Sequence, residues 1–513
     1  MQFKNSLIFG SLLLAWSGNL AYANTNVARP FVFHHENVLG TSLELKLIAV
    51  SDADARSAEA LVLDEIDRLA GILSTYESSS EVSRWLKTSQ QPVAVSAELF
   101  HVLEQYDRWC DLSGGAFNAT AGVALELWKN AAARHRVPTR DELADAVAQA
   151  GVSPWKLDPA ARTATRTGTA ALSLNALGKG CIVDQACAFA LSSGKVTAAL
   201  VNIGGDLRIM GDWVESVGVV DPLADAENSA PAARLRIQNR AVATSGNYRR
   251  GFAINDRWYS HIVDPRTARP VDHVISATVV AGCTADADAL STTFSVLTPE
   301  ESLRLASSLP EVEYLLVTAN GRQITSRGWH RFVSQGYEVA AAGGNLPVMT
   351  GNQAGTSWNP EFELIVNLEL NRSTSQRYRR PFVAVWVEDQ DKFPVRTMAL
   401  WFDRARWLPD LKAWYHGDQM RTMADGTDLT GTVSSATRPA GKYAIKWDGK
   451  DDKGKPVKPG KYTVCIEAVR EHGTYQLIRQ EMSFTGTAAH LELKGNPEVS
   501  SASLDYRRKT ATH

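Results

Sequence analysis

The chain has 513 residues, 44% of them hydrophobic, and a formal net charge of −2 at pH 7. Because one domain usually takes about 100–200 residues, two or three globular domains are expected. Nucleic-acid-binding proteins usually carry an excess of positive charge. This chain is close to neutral, so no nucleic-acid partner is expected. Five cysteines without CxxC or Cys/His spacing give no zinc motif, and the sequence leaves open which of them, if any, form a disulfide.

The first 23 residues have the layout of a secretory signal peptide. Lys4 precedes an apolar run from Leu7 to Trp16, and Ala21-Tyr22-Ala23 provides the small residues of a cleavage site. A helix needs about 20 apolar residues to span a bilayer, and this run is shorter. The alternative is a buried N-terminal helix. We expect a cleaved signal, a periplasmic protein and no transmembrane segment in the mature chain.

Helical and strand patterns are mixed up to about residue 340. Apolar residues recur at helical spacing over 56–73 and 95–112, and Thr-Arg-Asp-Glu opens a third helical pattern over 139–150. Short strand patterns follow at 198–202 and 216–220. This mixture predicts an α+β domain.

The composition changes at 341–360, where Gly, Asn, Pro and Ser dominate as they do in linkers. Apolar and polar residues then alternate within 361–490, for example over 382–387 and 460–467, with turns rich in Gly and Asp between them. This pattern predicts a β-sandwich of the Ig-like kind. Residues 491–513 lack periodicity, and a flexible tail is predicted there.

Three segments of the first domain suit a ligand with a planar ring and phosphates. Residues 73–76 contain Tyr76, whose aromatic face could pack on a ring. Residues 113–118 read Ser-Gly-Gly-Ala-Phe-Asn, and paired glycines allow close approach of a ligand to the backbone. Lys179 lies in a Gly-Lys-Gly segment that opens a helical pattern, which suits phosphate. Taken singly, each segment is equally typical of a turn or a core contact.

A possible metal site lies in Ala287-Asp288-Ala289-Leu290-Ser291-Thr292. Side chains four residues apart on a helix face the same way, so Asp288 and Thr292 would lie side by side. Carboxylate and hydroxyl oxygens are hard donors that suit Mg²⁺. Asp286 is the alternative ligand, although its spacing of six residues from Thr292 fits one helix face less well. The interpretation without a metal is an Asp near a helix N-terminus and a core Thr.

Taken in order, these motifs resemble the ApbE family of FAD:protein FMN transferases over roughly residues 35–335. The resemblance rests on Leu39-Gly40-Thr41, Leu73–Tyr76 with Ser80-Glu81, Ser113–Asn118, Leu174–Asp184, Asn202–Asp206, Ala243–Tyr248, His261–Thr267 and Ala287–Thr292. It implies a mixed α/β flavin-transferase domain ahead of the β-sandwich. The chain departs from the family at Asn118 and Ser173, where the family commonly has Asp, and at Ala268, where it has Gly.

The resemblance also implies roles for individual residues. Asp288 would serve both catalysis and metal binding. His261 is the candidate to accept the hydroxyl proton because an imidazole titrates near neutrality, and the alternatives are that it orients the loop or holds the flavin by hydrogen bonds. The Mg²⁺ ligands would be the Ala176 carbonyl, Asp288 and Thr292. The residues implied to bind FAD are Leu39, Tyr76, Ala116, Phe117, Asn118, Ser173, Lys179 and His261.

The implied reaction is Mg²⁺-dependent transfer of FMN from FAD to a Thr or Ser hydroxyl of a target protein, through a phosphoester bond and with release of AMP. The acceptor would be an exported or membrane-bound protein with a Thr-containing loop approximating Asp-x-x-Ser/Thr-Gly-Ala-Thr. Two alternatives stay open: a FAD-binding protein without transferase activity, motivated by the three departures, and a FAD pyrophosphatase in which water replaces the hydroxyl.

The second domain resembles a bacterial domain family of unknown function that is sometimes fused to ApbE domains. It contains Gly431-Thr432-Val433-Ser434-Ser435-Ala436-Thr437, which partly fits the acceptor loop. One hypothesis is therefore that Thr437 is flavinylated by the chain's own first domain or by a second copy. The alternative is a polar loop between strands.

Overall fold

The structure is a computed structural model that describes residues 27–509, apart from 225, 227, 248–250, 256, 335–356, 372–379, 403–404, 426–433, 436 and 471–473. The predicted signal peptide and residues 341–356 of the predicted linker lie outside this range. Within it, two domains follow each other, at 27–334 and 357–509. No helix in the described range is long and apolar enough to cross a membrane.

The first domain mixes helices and strands along its whole length. Its helices are α1 (Asp52–Leu73), α2 (Glu81–Trp85), α3 (Ala97–Leu112), α4 (Ala121–Ala133), α5 (Arg140–Ala150), α6 (Asn175–Ser192), α7 (Thr284–Val296) and α8 (Pro299–Ser307). Its strands are β1 (Arg29–Val38), β2 (Thr41–Ala49), β3 (Pro92–Ala94), β4 (Trp155–Asp158), β5 (Thr163–Arg166), β6 (Val196–Ile203), β7 (Asp206–Gly211), β8 (Glu215–Val219), β9 (Ala233–Ile237), β10 (Ala241–Gly246), β11 (Gly251–Ile254), β12 (Arg257–Ser260), β13 (Val263–Asp264), β14 (Arg269–Pro270), β15 (Val274–Ala281), β16 (Glu313–Thr318) and β17 (Gln323–Thr325).

An eight-stranded antiparallel sheet forms the centre of this domain, in the order β1-β2-β6-β7-β10-β15-β16-β17. Alternation along β2 directs Leu43, Leu45 and Leu47 to one face, where they are fully buried in a core shared with α1, α6 and α7. The opposite face packs against the β8–β9 hairpin around Leu200, Ile209 and other apolar side chains. The sheet is therefore covered on both sides.

Local sequence signals explain several helix starts. Ser51 and Ser96 accept hydrogen bonds from backbone amides in the first turns of α1 and α3. At α5, Thr139 and Glu142 form the reciprocal capping box predicted from Thr-Arg-Asp-Glu. The three predicted helical patterns at 56–73, 95–112 and 139–150 thus correspond to α1, α3 and α5.

The second domain consists of two sheets and a helix. Its strands are β18 (Phe362–Leu370), β19 (Phe382–Glu388), β20 (Pro394–Trp401), β21 (Ser434–Ser435), β22 (Gly441–Trp447), β23 (Gly460–Val469), β24 (Tyr475–Phe484), β25 (Ala489–Leu493) and β26 (Val499–Arg508), and its helix is α9 (Lys412–Asp425). Short 3₁₀ helices occupy Trp329–Arg331 in the first domain and Ala405–Asp410 in the second. The strand orders are β22-β18-β26-β25 and β21-β20-β19-β23-β24. Side chains from both sheets share one apolar core, so the C-terminal part is β-rich as predicted.

The prediction of a flexible tail at 491–513 is wrong for the residues that the structure describes. β26 pairs with β18 on one side and with β25 on the other, which makes it an inner strand. Val499, Leu504 and Tyr506 are buried in the core between the sheets. The apolar residues of β26 are separated by Ser, Asp and Arg, so the segment reads as polar even though one face of it is buried.

Candidate active site

A cavity of about 790 Å³ lies beside the central sheet of the first domain. This volume is within the roughly 300–1,000 Å³ of small-molecule sites. Ten of the eleven residues singled out from the sequence line it: Tyr76, Ala116, Phe117, Asn118, Ser173, Ala176, Lys179, His261, Asp288 and Thr292. These residues lie up to 216 positions apart in the chain, between Tyr76 and Thr292.

Leu39 is the residue of that set that does not line the cavity. It adopts a positive φ of 50° in the turn between β1 and β2 and packs against the core of the first domain. The neighbouring Thr41 contacts the turn at Gly204, which does line the cavity. The Leu39 segment therefore lies next to the cavity wall at Gly204 but does not line the cavity.

The crossing of α6 and α7 brings together the residues predicted from the sequence to bind a metal. At Gly180, a Cβ atom would lie 2.8 Å from Ala285 Cα, so only glycine lets the two helices approach this closely. Asp184 of α6 accepts hydrogen bonds from the backbone amides of Thr284 and Ala285, at 2.8 and 3.0 Å, and thereby caps α7. These two contacts fix Ala176 and Lys179 on α6 relative to Asp288 on α7.

Two buried carboxylates and one ammonium group face each other at this crossing. Lys179 Nζ lies 2.5 Å from Asp206 Oδ2, and the Asp206 and Asp288 carboxylates lie within hydrogen-bonding reach of each other. Burial raises the pKa of Asp288 well above its ordinary value, and the negative charge of Asp206 raises it further. Burial also raises the pKa of Asp206, while Lys179 acts in the opposite direction. When both carboxylates are ionised, the group carries one more negative charge than the Lys179 ammonium balances.

This arrangement fits a divalent cation. In the part of the chain that the structure describes, Asp288 Oδ2 is buried without a hydrogen-bond partner. The Ala176 carbonyl and the Thr292 hydroxyl belong to residues lining the same cavity, and hard oxygens of this kind suit Mg²⁺. Asp286, the alternative ligand, instead pairs with Arg108 at 3.3 Å and does not line the cavity.

The sequence analysis missed Tyr106, which is buried beside Ala176 and Asp288 and stacks on Phe117 with ring centroids 5.0 Å apart. Burial raises the pKa of the Tyr106 hydroxyl well above its ordinary value, and the charge of Asp288 adds to this effect. Because Tyr106 lies inside the regular apolar pattern of α3, it is indistinguishable from a core residue in the sequence.

The rim near Tyr76 is polar and open. Tyr76 is 79% exposed, and its hydroxyl accepts a hydrogen bond from Asn175 Nδ2 at 3.1 Å. Asn175 also accepts a hydrogen bond from Thr75 at 2.7 Å. The first residue of α6 is thus tied to the segment that presents Tyr76, which leaves an exposed aromatic ring at the mouth of the cavity.

Two departures from the family pattern have local explanations. Asn118 Oδ1 accepts hydrogen bonds from the amide and the hydroxyl of Thr120, at 2.9 and 2.7 Å, so Asn performs the turn-forming role open to Asp. Ala268 adopts a φ of 54°, the left-handed region that favours glycine. Its carbonyl accepts a hydrogen bond from Trp128 at 2.8 Å, which helps to hold the turn.

His261 lies in an ordered loop between β12 and β13. The amide of Ile262 donates to Ser260 Oγ at 2.9 Å, and Asp264 accepts from the Arg266 amide and pairs with its guanidinium. Asp264 therefore shapes the loop, while His261 lines the cavity.

A second charged group on the wall was also missed. Lys46 Nζ lies 3.3 Å from Glu44 and 3.2 Å from Glu215, and all three residues line the cavity. Burial alone would lower the pKa of Lys46, but the two carboxylates outweigh it and the pKa is raised. Glu44 and Lys46 alternate with buried leucines in β2, a pattern equally typical of a solvent-facing strand.

The structure argues against Thr437 as an acceptor. Residues 431–433 and 436 of the proposed loop lie outside the described range, but Thr437 is described and only 2% exposed. It is also not among the residues that line the cavity. A hydroxyl enclosed in this way is not presented to an external site.

The fold and the cavity define an α+β domain with a ligand-sized cavity beside its central sheet. Residues 39–316 match the ApbE family, which is more than half of the chain, and the chain belongs to this family. Residues 363–501 match a second family, DUF2271, described as a predicted periplasmic protein. Both resemblances noted in the sequence are thus confirmed.

Individual relatives agree with this assignment. The FAD:protein FMN transferase of Haemophilus influenzae is 29% identical over 302 residues, which cover 55% of this chain and 86% of the relative. The ApbE protein of Thermotoga maritima is 27% identical with a TM-score of 0.53, covering 60% of this chain and all of that structure. The flavin transferase ApbE of Vibrio cholerae is 25% identical with a TM-score of 0.50, covering 60% and 99%.

Proposed function

We propose that this chain is a Mg²⁺-dependent FAD:protein FMN transferase that links FMN to a Thr or Ser hydroxyl of an exported acceptor. The observation that carries the proposal is the single cavity lined by ten of the eleven residues predicted from the sequence. Curated relatives that bear this name, at 28–29% identity, support the same activity.

The proposed reaction exchanges the phosphoanhydride bond of FAD for a phosphoester bond to the acceptor. The acceptor hydroxyl oxygen attacks the phosphorus on the FMN side of the FAD pyrophosphate and forms a new P–O bond. The bond from that phosphorus to the bridging oxygen breaks, and AMP leaves with the bridging oxygen. The hydroxyl proton is taken up by a base, and no oxidant or reductant is needed.

The residues that line the cavity have different proposed roles in this step. Lys179 would contact the pyrophosphate, since an ammonium on the second turn of α6 lies near the amides of that helix start. His261 would accept the proton, because an imidazole titrates near neutrality. Tyr76 and Phe117 supply aromatic surface for the isoalloxazine ring. Mg²⁺ held by Ala176, Asp288 and Thr292 would neutralise charge on the pyrophosphate oxygens.

We place this activity in the periplasm. The proposal is supported by the signal-like first 23 residues and by the description of the second family as periplasmic. The partners would be FAD and an exported or membrane-bound acceptor that offers a Thr-containing loop.

Hydrolysis remains the second candidate, because the same cation site could direct water instead of a hydroxyl at the same phosphorus. The exposed rim at Tyr76 leaves the mouth of the cavity open in the part of the chain that the structure describes. The two reactions differ only in the nucleophile, so their products distinguish them.

The test is incubation of the mature chain with FAD, Mg²⁺ and a protein carrying an Asp-x-x-Ser-Gly-Ala-Thr loop, followed by chromatography of the nucleotides. AMP in equal amount to acceptor-bound flavin is expected. AMP with an equal amount of free FMN would assign a pyrophosphatase. Intact FAD with enzyme that binds it would assign a flavin-binding protein.

A further inference from the structure

Asp206 lies in the cavity at a position that its hairpin fixes. It is the first residue of β7, directly after the Gly204–Gly205 turn, and it pairs with Ile203 of β6. Both glycines have positive φ, at 61° and 100°, as a two-residue hairpin turn requires. The residue is 3% exposed, so its carboxylate is directed inward and not to solvent.

This carboxylate is placed between two groups of the site. Lys179 Nζ lies 2.5 Å from Asp206 Oδ2, and Asp288 lies within hydrogen-bonding reach of Asp206. Asp288 is 7% exposed, and its Oδ2 has no hydrogen-bond partner among the described residues. With both carboxylates ionised, the single Lys179 ammonium would leave one buried negative charge uncompensated, and such a charge is costly unless a cation joins the group.

We propose that Asp206 is a second carboxylate of the cation site, which holds the divalent cation together with Asp288 and positions Lys179 beside it. The inference rests on the proposed function, because that function identifies the cavity as a cation site. The quantity that it predicts is the affinity of the FAD-free protein for a cation. In this arrangement the cation supplies the missing positive charge, and Asp206 keeps the Lys179 ammonium on the same side of the cavity as Asp288.

The experiment is a titration of the FAD-free mature chain with Mn²⁺, as a spectroscopic probe of the Mg²⁺ site, followed by electron paramagnetic resonance. Asp206→Asn keeps the shape of the side chain and removes its charge. Loss of a supporting carboxylate should weaken Mn²⁺ binding by about 10–100-fold. Glu44→Gln is the matched control, because Glu44 is a carboxylate of the same cavity that pairs with Lys46 instead. Its Mn²⁺ affinity should equal that of the wild type.

A second variant separates cation binding from a merely structural role. Lys179→Met removes the positive charge that competes with the cation for Asp206, so it should tighten Mn²⁺ binding to the FAD-free chain. Wild-type Mn²⁺ affinity in folded Asp206→Asn, with an unchanged melting temperature without metal, would overturn the proposal. If Asp206→Asn does not fold, unchanged or weaker Mn²⁺ binding in Lys179→Met overturns it.

Failure of this inference and failure of the proposed function have different signatures. Mn²⁺ affinity is measured without FAD and without an acceptor, so it reports only on the cation site. Wild-type chain that binds Mn²⁺ as expected but produces no acceptor-bound flavin would leave Asp206 assigned and the transferase activity refuted.

Discussion

Asp288 and Asp286 are two carboxylates on the same helix with opposite surroundings. Asp288 is buried in the cavity, whereas Asp286 pairs with Arg108 near the surface. Asp288→Asn should lower the rate of FMN transfer by roughly 100-fold or more, since it removes a ligand of the cation that would neutralise charge at the reacting phosphate. Asp286→Asn is the control and should retain wild-type turnover across a Mg²⁺ titration. Equal activity of both variants would refute Asp288 as a metal ligand.

The Asp288→Asn variant is also expected to differ from the wild type in its stability without metal. Burial and Asp206 raise the pKa of Asp288, so at neutral pH its ionised form opposes folding. The metal-free melting temperature of Asp288→Asn should therefore match or exceed that of the wild type. A sharply lower value would mean that the loss of activity reflects unfolding.

At the level of residues, the sequence predicted cavity-lining positions where the motif itself contains an ionisable group. Asp288, Lys179 and His261 were singled out in this way, and all three line the cavity. Tyr106 and Asp206 were not, because a core-like Tyr in a helix and an Asp after a glycine turn have common structural explanations. The packing of α3 and β7 against the α6–α7 crossing brings Tyr106 and Asp206 to Asp288.

Among the elements, the α6–α7 crossing decides the geometry of the site. Gly180→Ala would place a Cβ 2.8 Å from both Ala285 Cα and Thr284 O, so the helices must separate. Overpacking of this kind costs about 1–3 kcal/mol, and Mg²⁺ affinity should fall with it. Gly178→Ala on the same helix is the control, because its Cβ would meet Leu73 at an ordinary 4.0 Å.

Chemical denaturation and Mn²⁺ titration of the two glycine variants test this account. Gly178→Ala should be as stable as the wild type or more stable, because alanine favours a helix over glycine by roughly 0.5–1 kcal/mol. Equal stability and equal metal affinity in Gly180→Ala would show that the close approach at Gly180 does not position the site.

Helices with strong periodicity or capping motifs were predictable, as α1, α3 and α5 show. β26 was not, since alternating Ser, Asp and Arg residues hide a strand that is buried on one face only. The left-handed turn at Ala268 was also hidden, because alanine gives no signal for a positive φ that a buried turn imposes.

For the whole molecule, one asparagine links the two domains through backbone hydrogen bonds. Asn228 Oδ1 accepts from the Lys446 amide at 2.6 Å, and Asn228 Nδ2 donates to the Lys446 carbonyl at 2.7 Å. Lys446 belongs to β22, a strand at the edge of its sheet, so Asn228 bonds to backbone groups of an edge strand. The second domain is thereby attached next to the β8–β9 hairpin.

Asn228→Ala should weaken this attachment by about 1–3 kcal/mol, because two backbone groups of Lys446 lose their partners. Calorimetry should show the thermal transitions of the two domains moving apart, while Ser229→Ala, the neighbouring control, keeps the wild-type thermogram. An unchanged thermogram in Asn228→Ala would mean that this contact does not couple the domains.

The most direct test of the central claim is fragmentation mass spectrometry of an acceptor protein incubated with the mature chain, FAD and Mg²⁺. The account predicts one FMN per acceptor, attached through a phosphoester to the last Thr of its Asp-x-x-Ser-Gly-Ala-Thr loop, and no adduct with Asp288→Asn. An unmodified acceptor in the presence of folded, FAD-binding wild-type chain would contradict it.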